Sequence, residues 1–288
     1  VYAAPWETPD YDEEGNAIAG EQSLCGKCYS MKLDGSDTME IQLPKVQGQI
    51  EQVEPVCSGT TLVLSITYRN QDIYGYAMAK VEEDGTVAAP VDLTEELQLG
   101  DNEQMEQLLA GKDGRLAAVT DRRIIVLEED GKRLGEAAPE SGYVQSAVCS
   151  KDGEILSADV TEDGVTVDVL DRNTFQWKTY QKLEGDVALS SNLLMNGAQY
   201  DYYYRDNSGI YGCDAGAKKT VKLLDYAASN IYTENVSSIR PIDDTRMLGI
   251  ADAITSDGAK LILYTKVDPK EVADKEVITY GAIQFDND

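Results

Sequence analysis

An aspartate-led turn recurs along this chain at near-regular spacing, and that recurrence constrains the fold more than any other feature. An apolar run enters the turn and a second strand-like run leaves it. The clearest copies are Met31-Lys32-Leu33-Asp34-Gly35, Val81-Glu82-Glu83-Asp84-Gly85 and Leu127-Glu128-Glu129-Asp130-Gly131. Leu170-Asp171-Arg172-Asn173, Cys213-Asp214-Ala215-Gly216 and Val267-Asp268-Pro269 are looser versions. The aspartates stand at 34, 84, 130, 171, 214 and 268, so the intervals are 50, 46, 41, 43 and 54 residues. Asp and Gly accept the backbone conformations that tight turns need.

A second pattern repeats between these turns. Met105 to Val119, MEQLLAGKDGRLAAV, aligns without a gap on Val144 to Ala158, VQSAVCSKDGEILSA. Val56 to Ser65, VCSGTTLVLS, aligns on Val148 to Ser157. Each copy is two β-rich runs around a short polar turn, which is the signature of a hairpin.

One unit can be parsed completely: Gly142 to Val148, Glu154 to Val160, Gly164 to Asp171 and Phe175 to Leu183. Val187 to Tyr226 parses the same way, and Ile73-Tyr74-Gly75-Tyr76 and Ile210-Tyr211-Gly212-Cys213 occupy matching third strands. Four strands in about 40–50 residues make a propeller blade. The expected fold is therefore all-β: a β-propeller of about six four-stranded blades, with seven blades or an open ring as alternatives. Asp101 to Leu109 has helix-forming composition, but the repeat register makes most of it a strand. The last unit has Ser237 to Pro241, Arg246 to Ala253 and Lys260 to Lys266 and needs a fourth strand, which Val1 to Trp6 is expected to supply, closing the ends. The expected organisation is a propeller over 1–269 and a linker opening a following domain over 270–288.

Composition narrows function. There is no histidine, which removes Ser-His-Asp and Cys-His catalysis, His-ligated zinc and imidazole pH switching. Asp and Glu number 52 against 25 Lys and Arg, a formal charge of −27 that repels phosphate backbones and anionic lipid. Neither nucleic acid nor direct membrane insertion is expected, and no apolar run reaches membrane-spanning length. Cys25-Gly26-Lys27-Cys28 has redox or metal spacing, but Cys57, Cys149 and Cys213 are not spaced as a second pair. Structural thiols are the expectation, with a local disulfide as the alternative.

The candidate sites are few. Period-2 alternation sends Tyr200, Tyr202 and Tyr204 to one face and Tyr203 to the other; packing between adjacent blades is the first reading of this cluster, and a stacking surface for sugar or peptide makes the three the candidate binding residues. Asp34-Gly35-Ser36-Asp37 and Asp12-Glu13-Glu14-Gly15-Asn16 lack the spacing of a calcium loop. Asp152, Asp163, Asp206 and Asp243 read as turn residues that a propeller enzyme acting on carbohydrate or lactone would need as carboxylates. No catalytic residue, metal ligand or cofactor is assigned.

The C-terminal tail carries a resemblance. After the charged stretch Lys270 to Lys275 comes Glu276-Val277-Ile278-Thr279-Tyr280-Gly281-Ala282-Ile283. This run resembles the opening strand of bacterial extracellular solute-binding proteins of ABC importers. In some gut Gram-positive lipoproteins such a domain follows a propeller-like region with repeats like Tyr29-Ser30-Met31-Lys32-Leu33-Asp34-Gly35-Ser36-Asp37. The resemblance implies an extracellular, cell-surface location, a lipid anchor upstream of Val1, and a solute-binding domain downstream on the same polypeptide. The expected function is a non-catalytic, monomeric interaction or scaffold module that contacts glycan, peptide or protein. A propeller enzyme and a spacer without ligand are the alternatives.

Overall fold

A computed structural model describes residues 2–3, 6–7, 10–11, 17–19, 23–24, 27–32, 36–58, 61–111, 113–161, 164–183, 193–229, 239–243, 245–250, 260–268 and 271–279. Among the described residues the chain is all-β apart from two single-turn helices. It divides into two compact units: Val1–Thr120 with Ile125–Gly135, and Asp121–Ile124 with Glu136–Asp288.

At the N-terminus, β1 (Tyr2–Ala3) pairs with β6 (Lys27–Ser30), which pairs with β7 (Met39–Gln42). Two short ladders lie between them in sequence: β2 (Trp6–Glu7) with β5 (Ser23–Leu24), and β3 (Asp10–Tyr11) with β4 (Ala17–Ala19). Five four-stranded antiparallel sheets follow among the described residues. They are β8 (Gln49–Ser58), β9 (Thr61–Asn70), β10 (Ile73–Val81) and β11 (Val91–Asp92); then β12 (Met105–Ala110), β13 (Leu116–Thr120), β14 (Ile124–Leu127) and β15 (Arg133–Ala137). The next are β16 (Ser146–Cys149), β17 (Ile155–Thr161), β18 (Gly164–Asp171) and β19 (Gln176–Lys182), and β20 (Leu194–Met195), β21 (Tyr202–Arg205), β22 (Gly209–Asp214) and β23 (Lys219–Asp225). The last is β24 (Arg240–Pro241), β25 (Arg246–Ile250), β26 (Lys260–Asp268) and β27 (Glu271–Thr279). The helices are α1 (Thr94–Leu97) and α2 (Tyr226–Ser229). In each of these five four-stranded sheets the strands pair in sequence order, the topology of a propeller blade, and the fold is a β-propeller of about five to six blades.

The recurring aspartates work as the sequence implies. Asp84 and Asp130 lie between the third and fourth strands of their sheets, and Asp171 and Asp214 end the third strand of theirs. Each carboxylate accepts a backbone N–H two or three residues on: Thr86 at 2.9 Å, Lys132 at 3.1 Å, Asn173 at 2.9 Å and Ala217 at 3.1 Å. Those bonds favour the charged form, so Asp84 and Asp171 sit below the ordinary carboxylate range. Gly85 and Gly131 follow at φ +83° and +91°, where a Cβ is strained. Asp34 lies outside the described residues.

Alternation builds the cores. In unit 1, Leu62, Leu64, Ile66 and Tyr68 of β9 join Cys28 and Ile41 on one face, while Val63 faces Leu108, Leu116 and Ile125 on the other. In unit 2, Leu156 and Ala158 of β17 and Val165 and Val167 of β18 pack against Tyr202, Tyr204 and Cys213. Tyr203 faces the next cluster, with Ile210, Leu224 and Met247.

Three expectations are corrected. Val1 to Trp6 does not supply the missing outer strand: β1 pairs with β6 and β2 with β5. The fourth strand of the last sheet is β27, antiparallel to β26, with Tyr264 opposite Asp274. Residues Glu271–Thr279 thus belong to the last sheet rather than to a linker and a following domain, because a hairpin to the adjacent β26 closes far less chain than a return from Val1. Among the described residues the N-terminal sheet β1-β6-β7 shows three strands, where six four-stranded blades were expected. Asp101 to Leu109 does follow the repeat register, with β12 starting at Met105.

Candidate functional site

In the second unit, Tyr204 of β21 and Tyr211 of β22 stack nearly parallel, 4.9 Å between ring centres at 9°. Both line a groove of about 810 Å³ that residues of the outer strand β19 also line. Tyr180, Gln181 and Lys182 come from β19, Lys218 and Thr220 from the approach and start of β23, and Asp206 from the β21–β22 turn. Outer strands leave half their side chains to solvent, which is why β19 presents mostly exposed polar residues here.

The groove walls are braced by polar contacts. The Tyr202 hydroxyl donates to Gln181 Oε1 at 2.9 Å, and Gln181 Nε2 donates to Thr220 Oγ1 at 3.3 Å. Asp206 accepts from the backbone N–H of Ser208 at 2.7 Å and of Gly209 at 2.9 Å, and Ser208 Oγ lies 2.8 Å from the Tyr211 hydroxyl. Lys222 stands with its ammonium 5.7 Å from the Tyr211 ring centre and donates to Asp225 at 2.9 Å, the bond that raises its pKa.

Two residues that line the groove, Tyr180 and Ala215, bond to Asp201, a buried carboxylate. Lys151 Nζ donates to Oδ1 at 2.8 Å, and the Tyr180 hydroxyl at 3.0 Å and the Ala215 N–H at 2.9 Å donate to Oδ2. Burial opposes ionisation, but these donors outweigh it and hold Asp201 below the usual carboxylate range. Burial first, and then the bond to Asp201, pushes Tyr180 up to about 12.

The sequence-predicted tyrosines divide. Tyr202 and Tyr204 share a face as expected, with Tyr202 fully buried and burial driving its pKa upward. Of the three, Tyr204 borders the groove. Tyr200 departs from the expectation: it packs on the opposite side, edge-on to Tyr203 at 5.7 Å. It precedes β21, so strand alternation does not govern it, and it covers Gly212, where a Cβ would lie 2.4 Å from the ring. Asp206 and Asp243 are turn residues, the latter accepting from the Thr245 N–H at 2.9 Å. Asp163, Cys25 and residues 12–16 lie outside the described residues. Cys28 and Cys213 are buried thiols of the apolar clusters. Among the described residues no three His, Cys, Asp or Glu side chains gather as a metal-binding group, and no helix is long and apolar enough to cross a membrane.

Sequence reasoning missed Tyr180, Tyr211 and Asp201. A signal existed for Tyr211, which was placed on a third strand beside a glycine; Asp201 stands in the tyrosine cluster but alternates onto no predicted ligand face.

No protein-family model matches the chain, and no curated protein sequence matches it. Solved structures do. Puromycin hydrolase matches at TM-score 0.53 and 15% identity, over 96% of this chain and 44% of that one. The nidogen/laminin complex matches at TM-score 0.51 and 12% identity, over 87% and 88%. Oligogalacturonate lyase in complex with manganese matches at TM-score 0.50 and 12% identity, over 83% and 74%. This chain spans less than half of the hydrolase chain. At these identities the likeness is one of fold, and the fold is shared by enzymes and by a binding complex alike.

Proposed function

We propose that this chain is a non-catalytic extracellular binding module that takes a glycan in the groove beside Tyr180, Tyr204 and Tyr211. The observation that carries this reading is the groove lining, which sets tyrosine rings beside Gln181, Asp206, Lys182, Lys218 and Thr220. A sugar offers C–H faces to aromatic rings and hydroxyls to amide, carboxylate and hydroxyl groups, so both kinds of surface are met. The chain's charge of −27 disfavours an anionic ligand.

A glycan and peptide array, followed by calorimetry on hits, tests this. Tyr211→Ala is expected to weaken the glycan hit at least tenfold, about 1.4 kcal/mol. Peptide hits alone, or turnover of the bound glycan, would overturn the reading, and an empty array would favour a spacer. With Glu271–Thr279 in the last sheet, a setting on a cell-surface lipoprotein with a solute-binding domain downstream rests on the resemblance of the repeats around Tyr29 to Asp37. The precursor sequence tests that setting: a lipobox before Val1 and a two-lobed domain after Asp288 are expected, and their absence overturns it.

A further inference from the structure

The face of β17 and β18 turned away from Tyr202 and Tyr204 carries buried polar side chains. Alternation puts Ser157 and Asp159 of β17 on it, with Thr166 and Asp168 of β18. Ser157 stands directly opposite Asp168, and Asp159 opposite Thr166. Ser157, Asp159 and Asp168 keep 1%, 4% and 8% of their surface. Ser157 Oγ, Asp159 Oδ1 and Asp168 Oδ1 have no hydrogen-bond partner. Burial first, and the neighbouring Asp159 charge after it, push the Asp168 carboxyl above its ordinary range, against the hydroxyls of Thr179 and Thr166.

A buried carboxylate oxygen that no donor meets is costly, and two such carboxyl groups side by side compound the cost. Asp201 shows how this chain furnishes a carboxylate it needs for structure: three donors surround it. On the β17–β18 face the unmet atoms are three oxygens, two of them from carboxyl groups, and beside them on β19 the Trp177 Nε1–H is unmet as well. We propose that this face holds a hard divalent cation, Ca²⁺, between Asp159 Oδ1, Asp168 Oδ1 and Ser157 Oγ, with water completing the shell. The donors are all oxygen, which suits a hard cation, and the irregular set suits calcium better than the strict octahedron of magnesium. Two carboxylates balance the charge of one divalent ion. So small an acidic set belongs with weak sites, of order 10⁻⁴–10⁻³ M.

The whole chain, stripped with a chelator and dialysed, is the material for the test. Trp177 lies opposite Leu170 on the same face and serves as antenna for terbium luminescence, read in a Trp6→Phe background. Sensitised emission that Ca²⁺ displaces is expected. Saturating Ca²⁺ at about ten times its Kd should raise Tm by roughly 2–4 °C. Asp159→Asn and Asp168→Asn should each weaken Ca²⁺ at least tenfold. No calcium effect, an unchanged effect in both variants, or an equal response to Mg²⁺ overturns the proposal. Should either variant fail to fold, Ser157→Ala decides: a several-fold weaker response supports the site, and an unchanged one overturns it.

Discussion

Neighbouring sheets of the second unit bury carboxylates in opposite ways. Asp201, just before β21, has an ammonium, a phenol and a backbone N–H on its two oxygens. Asp159 and Asp168, within β17 and β18, each keep a buried oxygen that nothing in the protein meets. The folded state lowers the pKa of Asp201 and raises that of Asp168. The difference separates two uses of buried charge. A carboxylate ringed by donors is a joint, and removing it should break structure. A carboxylate pair left open is held at a cost, and neutralising it should relieve the fold unless a cation is bound.

Removing the joint should have the largest effect. Asp201→Ala leaves Lys151 and Tyr180 without their acceptor and is expected to cost about 3–5 kcal/mol in urea unfolding. Its pH dependence follows from the direction of the shift. A lowered folded pKa contributes stability that is complete above the ordinary value of 3.8 and is lost as pH falls through the folded value. In the wild type the acid limb should be steep there, and in the alanine variant flatter. An unchanged limb would break the contrast with Asp168.

A smaller loss tests the same joint through its backbone. Gly197 lies where a Cβ would come 2.1 Å from Lys151 N and 2.2 Å from Asp201 O, both main-chain atoms that cannot swing aside. Lys151 N–H donates to Asp201 O at 2.9 Å, and Gly197 N–H donates to Cys149 O at 2.8 Å, so the crossing is pinned from both sides. Gly197→Ala should cost roughly 1–3 kcal/mol by overpacking. Tyr202→Phe should cost about 1 kcal/mol, since it removes one buried hydrogen bond to Gln181 and keeps the ring.

Repeat spacing made the sheets legible because each blade is closed by local hairpins, and an Asp-led turn leaves a mark wherever one occurs. It even overrode the helical composition of Asp101 to Leu109, where Glu103 instead accepts from the Gly100 N–H at 2.8 Å and from Thr120 Oγ1 at 2.8 Å. Alternation correctly split Tyr202 and Tyr204 from Tyr203 but failed for Tyr200, which stands outside the strand. The partner of an end strand has no local signature, which is why Val1 to Trp6 was placed wrongly. Asp201 depends on Lys151, fifty residues away in sequence, and no spacing encodes that pairing. Asp159 and Asp168 did leave a trace: aspartate is depleted inside strands, and these two interrupt β-branched runs at ILSADVT and GVTVDVLD.

The smallest effect carries the sign that distinguishes the two kinds of carboxylate. With a chelator present, Asp168→Asn should raise stability by roughly 0.5 kcal/mol at neutral pH, the scale of a substitution that breaks no paired contact. The sign comes from the raised folded pKa. Between the ordinary 3.8 and that higher value the folded state binds more protons than the unfolded, so stability falls as pH rises through the window and stays lower above it. Asn remains neutral throughout, so the gain over wild type should be present at pH 7 and vanish below the window. With Ca²⁺ added the order should invert, because the wild type gains the ion and the variant does not. Urea midpoints at two pH values, each with chelator and with Ca²⁺, read this out. A variant less stable than wild type in chelator would put Asp168 in the same class as Asp201, a carboxylate the fold needs charged.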